Sequence, residues 1–385
     1  MNSNNSQQYE ELYNHFFHIA EMIRGTVSID TGSMLPILQV IVLKRFLDDY
    51  SVHGSKDYSQ YWLTLRNLSA HNRLPQMMSE LNRIYDEISD QNPLFRDVCF
   101  ESYENRNIAE TLPVIVLYLH NVDFSEFKKK DIGKAFNDFI TKMFGGKYLG
   151  ESVSSNFIRK LITSVIEIKP GDKIYDPAVG IGGFFVEASN YCTEEGIVSF
   201  EGQEKNFETY SICRLNLYMN GIDYRGIHCS DSLLHPINVP ARFDRVVSDF
   251  PFNMKINKEE FNQILETDCF NRFDKELSSN SRGDYLFIQH IISSLDQKGK
   301  GAFLVPEGVL FRLGKEKLLR KEIVDSDVIH SLVFLPSGVL SNSMIPVVIM
   351  VIDKNKPLKL KRSIFMIDLT DEIKFERRSI QFKQR

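Results

Sequence analysis

An acidic residue followed by closely spaced glycines is the first feature of this sequence that could do chemistry. The apolar stretch that begins at Lys173 ends in an aspartate and continues through a glycine-rich turn into a helical pattern. Glycine lets a backbone approach a ligand closely, and open α/β sheets bind ligands at the carboxyl ends of their strands. The turn therefore predicts a site for a nucleoside-containing ligand. Its candidate binding residues are Asp176, Pro177, Gly180, Gly182 and Gly183.

The ligand chemistry follows from what surrounds the glycines. A dinucleotide site needs glycine or alanine at the sixth position of the G-x-G-x-x-G pattern, where this chain has Phe185. The Asp176 carboxylate would also repel a pyrophosphate, whereas it suits a cationic or ammonium-bearing ligand. S-adenosylmethionine carries both a sulfonium and an α-ammonium group, so we expect this cofactor. Taken alone, the turn also fits a purely structural connection between a strand and a helix.

Two further acidic residues follow the next predicted strands. Glu204, with Glu201 as the second choice, comes at the end of the second strand, where a carboxylate can accept hydrogen bonds from both ribose hydroxyls. Asp231 follows the third strand and offers an acceptor for an adenine amino group. Three acidic residues in order after one glycine turn favour a cofactor site over an ordinary structural turn.

After the fourth predicted strand the sequence reads Asp249-Phe-Pro-Phe252. Three other motifs combine with it: Asp176-Pro-Ala-x-Gly-x-Gly-Gly-Phe, Gly202-Gln-Glu204 and Ser230-Asp-Ser-Leu-Leu. The set resembles the methylation subunits of type I restriction-modification systems, which are adenine-N6 DNA methyltransferases. The resemblance extends to Leu12–Asp49, which is similar to the amino-terminal helical domain of that family, and to Gly301–Phe311. It therefore covers nearly the whole chain.

The resemblance implies that the chain transfers a methyl group from S-adenosylmethionine to the N6 amino group of adenine in DNA. It implies catalytic positions at Asp249, Phe250, Pro251 and Phe252, and it adds Tyr148 to the cofactor pocket. An acceptor at Asp249 and a backbone carbonyl beside it would bind the two amino hydrogens, and Phe252 would stack on a base flipped out of the duplex. The implied partners are DNA, a specificity subunit and a restriction subunit.

The sequence departs from the family in several places, and position 250 leaves alternatives open. Phe250 stands where the family usually has proline, whose fixed φ shapes the turn that faces the amino group. A second hypothesis is therefore a catalytically degenerate module that binds S-adenosylmethionine and acts structurally in a restriction or defence complex. A third is an RNA or protein methyltransferase, since similar acidic-aromatic motifs also modify glutamine amides. The helical first part of the chain favours the DNA subunit over this third hypothesis.

The elements that must position these residues form two predicted domains. Helical periodicity predicts an all-α domain over residues 1–144, with a buried helix at Leu35–Leu47 that has Pro36 in its first turn. Over residues 145–385, short apolar runs alternate with helical stretches, which is typical of a doubly wound α/β sheet. The resemblance implies that this sheet has the fold of S-adenosylmethionine-dependent methyltransferases. A polar loop is predicted from Asn253 to Gly283, long enough to line a DNA groove. Seven strands are predicted, at residues 173–175, 197–200, 227–229, 245–248, 302–305, 330–334 and 347–352.

Composition limits the class of protein. The 385 residues carry 46 basic and 51 acidic side chains, for a net charge of −5, which excludes a polybasic nucleic-acid coat. Contact with DNA is therefore expected from local basic runs, at Lys128–Lys130 and Lys354–Arg385, and sequence specificity from a partner. The five cysteines include no C-x-x-C pair, and the nine histidines are scattered, so neither a disulfide framework nor a metal site is expected. With no membrane-length apolar run and no secretory leader pattern, the chain is expected to be cytoplasmic.

Overall fold

The chain divides into two compact units. One comprises residues 1–149 with 211–222, and the other comprises residues 150–210 with 223–385. Residues 211–222 belong to the first unit although they lie far along the chain, so a single boundary in sequence does not describe the two units. The predicted domain boundary at residue 144 stays a prediction. The computed structural model describes residues 3–24, 30–53, 58–96, 100, 111–144, 154–192, 197–237, 242–273, 282–340, 344–376 and 379–382.

The amino-terminal part of the first unit is helical. Its long helix from Thr31 to His53 is buried over most of its length and begins where Asp30 accepts the N–H of Ser33 over 2.8 Å. The prediction that Pro36 lies in the first turn is wrong, because this cap starts the helix earlier and leaves Pro36 inside it. Within the described residues, no helix is both long and apolar enough to cross a membrane. The α-helices are α1 Ser3–Ile23, α2 Thr31–His53, α3 Ser59–Ala70, α4 Leu74–Ser89, α5 Thr111–Leu119 and α6 Lys129–Phe144.

The second unit alternates helices and strands. The helices are α7 Asn156–Val165, α8 Gly183–Ala188, α9 Phe207–Met219, α10 Lys258–Thr267, α11 Asp284–Ser294 and α12 Lys315–Asp325. The strands are β1 Lys173–Asp176, β2 Ser199–Glu204, β3 Ile227–Cys229, β4 Phe243–Ser248, β5 Leu295–Pro306, β6 Ile329–Phe334, β7 Val347–Asp353, β8 Phe365–Asp368, β9 Ile373–Glu376 and β10 Ser379–Phe382. Helix α9 begins in this unit, and its residues from Ser211 onward are counted with the first.

Eight of these strands form one sheet in the order β3-β2-β1-β4-β5-β7-β6-β8. All neighbours are parallel except β7, which runs antiparallel to β5 and β6. The seven predicted strands are present in this sheet and the α/β prediction is confirmed, but the sheet has one strand more than predicted. The additional strand, β8, pairs only with β6 in this sheet and is exposed at every residue, so burial leaves no alternating pattern to reveal it. A separate hairpin of β9 and β10 lies outside this sheet.

The stretch from Asn253 to Gly283 is not wholly the polar loop that its composition predicted. It contains α10, which opens with a capping box between Asn257 and Glu260. Phe261 and Ile264 on this helix, and Phe273 after it, are buried in the hydrophobic core beside the sheet. These three apolar side chains fix the described part of the segment to the core.

Candidate active site

The strand order reverses at β1, which pairs with β2 on one side and with β4 on the other. Ligands of open α/β sheets bind outside the carboxyl ends of the strands at such a reversal. β1 ends at Asp176, and β4 ends at Ser248, directly before Asp249. The Ser248 hydroxyl donates to Asp176 Oδ1 over 2.9 Å and joins the two strand ends. Two of the predicted site aspartates thus flank the reversal.

The glycine turn between β1 and α8 combines an unusual backbone with close packing. Pro177 opens the turn and is buried, while Gly180 and Gly182 have φ angles of 54° and 81°, in the left-handed region that favours glycine. Glycine is needed at position 183 because the Arg159 side chain packs against the backbone there. A Cβ at this position would lie 2.5 Å from Nη1 of Arg159. The predicted glycines therefore shape a loop that larger residues would distort.

Asp176 is 1% exposed, and its two oxygens differ in their surroundings. Oδ1 accepts hydrogen bonds from the Ala178 N–H, over 3.0 Å, and from Ser248. Oδ2 is buried and has no hydrogen-bond partner among the described residues. Burial raises the pKa of Asp176 to about 7; the hydrogen bonds from Ala178 and Ser248 oppose the rise, and the carboxylates of Asp249 and Glu204 add to it.

Glu204 ends β2 and is hydrogen-bonded to the glycine turn. Its Oε2 accepts the N–H of Gly180 over 3.2 Å, and its Oε1 accepts the N–H of Asn206 over 2.9 Å. The carboxylate thus lies against the turn, on the strand next to β1. Its role toward ribose hydroxyls stays a prediction.

Asp231 follows β3 and stabilises its own loop. Its Oδ1 accepts the N–H groups of Leu233 and Leu234 over 2.9 and 3.3 Å, and its Oδ2 lies 3.0 Å from the exposed Lys205 ammonium. In this structure the carboxylate caps a turn. Its predicted part as an acceptor for an adenine amino group stays a prediction.

A buried chain of side-chain hydrogen bonds lies beneath these loops. Arg272 can only donate, so its contact of 2.9 Å with His290 makes Nδ1 the acceptor and leaves the proton on Nε2. That Nε2 lies 2.9 Å from the Tyr175 hydroxyl, which in turn donates to Gln203 Oε1 over 2.7 Å. Burial, and then the charge of Arg272, lower the pKa of His290 well below its ordinary value, so the imidazole is neutral. Every donor in the chain therefore faces an acceptor.

The two ends of this chain hold the loop after β3. The Gln203 amide donates to the Ser230 hydroxyl over 2.7 Å and to the His235 carbonyl over 2.8 Å. Arg272 donates to the Ser232 carbonyl over 2.9 Å. The sequence did not reveal this support, because its members are far apart along the chain.

Asp249 follows β4 and also has one satisfied and one unsatisfied oxygen. The Ser154 hydroxyl donates to Oδ2 over 2.6 Å. Oδ1 is buried and has no partner among the residues that the structure describes. Burial raises the pKa of Asp249 to about 6, and the hydrogen bond from Ser154 opposes the rise. An N–H donor from a ligand would complete the hydrogen bonding of this carboxylate.

The Phe250 side chain lies in the hydrophobic core, although this residue was among the predicted catalytic positions. It is 1% exposed and stacks on Phe287 with ring centroids 4.8 Å apart. Phe252 meets it edge-on at 5.9 Å and remains partly exposed, and Pro251 is exposed. The side chain of Phe250 thus lies in the core, whereas Pro251 and Phe252 keep accessible surface.

A narrow cleft with a volume of about 70 Å³ joins the glycine turn to Asp249. It includes three polar residues that the sequence argument missed, Ser154, Arg159 and Thr209. Arg159 stands out in sequence only as a basic residue among the apolar positions of α7, where it is buried beside Gly183. The predicted cofactor residue Tyr148 lies outside the described residues. The lining consists of Ser154, Arg159, Ala178, Val179, Gly180, Ile181, Gly183, Phe184, Thr209 and Asp249.

Comparison with known proteins gives a consistent result. The methylase subunit of the type I restriction enzyme MjaVIII from Methanocaldococcus jannaschii is 28% identical over 359 residues, which cover 87% of this chain and 59% of that protein. This chain spans little more than half the length of the curated relatives it matches.

Two solved structures share the fold. The methyltransferase subunit of a type I restriction-modification system from Streptococcus thermophilus superposes with a TM-score of 0.80 at 20% identity, covering 97% of this chain and 90% of that one. A candidate class I S-adenosylmethionine-dependent methyltransferase from Listeria monocytogenes gives a TM-score of 0.55 at 16% identity, covering 81% and 94%. The family described as N-6 DNA methylase matches residues 111–385, which is well over half of the chain. This chain therefore belongs to the N-6 DNA methylase family.

Proposed function

We propose that this chain transfers the methyl group of S-adenosylmethionine to the N6 amino group of adenine in DNA. Family membership supports the reaction type. The observation that carries the proposal for this chain is the pair of buried, unsatisfied carboxylate oxygens, Asp176 Oδ2 and Asp249 Oδ1. Both need N–H donors, and they flank the strand reversal where a ligand is expected.

The residues present fit the cofactor. An α-ammonium group would satisfy Asp176, because burial raises the pKa of this carboxyl and a positive group beside it would favour the ionised form. Arg159 supplies a cation in the cleft for the α-carboxylate, and Glu204 lies beside the turn on the side of the predicted ribose site. Arg159 in the cleft, with Asp176 and Glu204 at the strand ends beside the glycine turn, therefore provides both charges that match a zwitterionic amino acid joined to a nucleoside.

The chemistry at Asp249 follows from the electronic structure of adenine. The lone pair of the amino nitrogen is delocalised into the ring, so it is a weak nucleophile. A carboxylate oxygen and a loop carbonyl that accept its two N–H groups would localise the lone pair on nitrogen and aim it. The cofactor supplies a methyl group on a sulfonium, which departs as a neutral thioether. Above pH 6 the Asp249 carboxylate is mostly ionised, so it also offers an acceptor for the proton that the amino nitrogen loses.

The target base must leave the duplex to reach this cleft. Phe252, partly exposed beside Asp249, offers a face on which the base can stack, an interaction of about 1–3 kcal/mol. We infer that a specificity subunit selects the DNA site, as the type I names of the relatives suggest, and that a restriction subunit joins the complex. The DNA substrate in turn favours a cytoplasmic location.

The test is methyl transfer from labelled cofactor to DNA by the chain combined with a specificity subunit. Asp249→Ala should lower the rate about 100-fold or more, because it removes an acceptor made for the transition state. Asp249→Asn should lose about tenfold or less, since its amide oxygen can still accept the amino N–H. Asp223→Ala, which removes an exposed carboxylate, is the matched control and should leave the rate unchanged.

Cofactor affinity, measured by calorimetry, should survive both changes at Asp249. Wild-type protein that binds S-adenosylmethionine but never labels DNA would contradict the proposal and favour the degenerate binding module. Phe250, one of the features that favour that alternative, has its side chain in the core and not in the cleft.

A further inference from the structure

The residue after the Asp249–Phe252 loop has a backbone conformation that is unusual for its type. Asn253 has a φ of 56°, in the left-handed region. Asparagine adopts this conformation more readily than most residues, but it still needs support from neighbours. The support comes from two other elements of the same unit.

Asn253 forms a closed triangle of hydrogen bonds with Asp284 and Arg312. Its backbone N–H donates to Asp284 Oδ1 over 2.8 Å, and its side-chain Oδ1 accepts from Arg312 Nη2 over 2.7 Å. Arg312 Nη1 closes the triangle with Asp284 Oδ2 at 2.6 Å. The side chain of Arg282 also donates to Asn253 Oδ1. We call Asn253, Asp284 and Arg312 the loop clamp.

The clamp is anchored on rigid elements. Asp284 is fully buried and begins α11, where its negative charge also suits the helix amino terminus. Arg312 precedes α12 and pairs with Glu316 on that helix at 3.4 Å. The Arg312–Asp284 ion pair is largely buried, so it is stronger than an exposed ion pair.

The loop that begins at Asp249 is thus held at three points. β4 fixes its start, the Phe250 side chain is packed in the core, and the clamp fixes Asn253 at its end. Two residues between these anchors, Pro251 and Phe252, keep accessible surface. Packing and hydrogen bonds thereby give this loop the stiffness that a proline at position 250 would supply through its fixed φ.

We propose that Asn253, Asp284 and Arg312 are positioning residues, which hold the Asp249–Phe252 loop in the shape that receives the target amino group. The catalytic part of this proposal rests on the proposed function. The mechanical part, that the clamp keeps the loop rigid, does not.

The first test is Asn253→Gly. Glycine tolerates the same φ and keeps the backbone N–H to Asp284, so the variant removes only the side-chain bonds from Arg312 and Arg282. We expect amide hydrogen exchange within residues 249–253 to speed up about tenfold, and the rate constant of methyl transfer to fall by a similar factor. The midpoint of unfolding and the cofactor affinity should not fall. Asn72→Gly, at another asparagine of positive φ, is the control and should change none of these quantities in the loop.

The second test uses Arg312→Ala and Arg312→Lys in the same assays. Alanine should loosen the loop and slow transfer most, and lysine should rescue part of both effects because it restores the charge without the fork. Unchanged exchange in the loop for Asn253→Gly and Arg312→Ala would overturn the proposal. Faster exchange with an unchanged transfer rate would overturn its catalytic part. A wild-type protein without transfer activity, in which the variants still loosen the loop, would support the clamp and reject the proposed function.

Discussion

Asp176→Asn should separate the needs of the fold from those of the cofactor. The wild-type carboxyl has a pKa of about 7 in place of an ordinary 3.8, because it is buried and one oxygen has no partner among the described residues. At low pH the Asp176 carboxyl is protonated in both the folded and the unfolded chain, so its ionisation does not lower the free energy of unfolding. As the pH rises, the unfolded chain ionises first, so the folded state is penalised progressively until pH 7, by a total of about 4 kcal/mol.

Asparagine keeps the acceptor for Ala178 and Ser248 and removes the charge. Its buried amide group lacks a partner, which costs about 1–3 kcal/mol. The empty variant should therefore be about 1–3 kcal/mol more stable than wild type at pH 8. At pH 5.5, where wild-type Asp176 is mostly protonated, this advantage should shrink by about 2 kcal/mol. Urea unfolding of both proteins at the two pH values measures the difference directly.

The same substitution should harm cofactor binding. Loss of a hydrogen bond to a charged group predicts a Kd for S-adenosylmethionine raised about 10- to 100-fold. In wild type, the ammonium group of the cofactor must displace the carboxyl proton of Asp176 below pH 7. The affinity for S-adenosylmethionine should therefore fall about tenfold for each pH unit below 7. The variant should lose that contribution to the pH dependence. Two results together would refute the reasoning. The variant would be less stable than wild type at pH 8, and its stability relative to wild type would be no higher at pH 8 than at pH 5.5.

Two further substitutions test how the site is supported. Phe250→Pro should not raise methyl transfer. It should lower the free energy of unfolding by about 3–5 kcal/mol, because it empties the stacking site on Phe287. Phe365→Ala, at a side chain that is 45% exposed, is the control. A gain in transfer activity would show instead that the phenylalanine is inhibitory. Tyr175→Phe should cost about 1–3 kcal/mol in urea unfolding and weaken cofactor binding, since it breaks the hydrogen-bond chain beneath the loop after β3. Equal cofactor affinity in this variant would show that the chain serves stability alone.

Local signals in the sequence determined the class of fold and the order in which the candidate site residues follow the strands. The burial of whole strands such as β7 and the spacing of glycines between β1 and α8 are visible in short stretches of sequence, because each reflects one element and its immediate turn. The same locality explains the missed strand β8. Its residues are exposed, so no burial pattern marks it.

Tertiary structure decided which side chains support the site. The motif Asp249-Phe-Pro-Phe252 identifies a loop but does not tell that Phe250 packs inward while Phe252 keeps accessible surface, since both are aromatic and two residues apart. Likewise, Asn253, Asp284 and Arg312 are unremarkable polar residues in sequence, and they meet only when the helices are packed. Sequence by itself determined the order of the acidic residues at the candidate site, because they follow strand ends in chain order. Only the packed structure decided their burial, and burial sets the pKa values of Asp176 and Asp249 and leaves an unsatisfied oxygen on each.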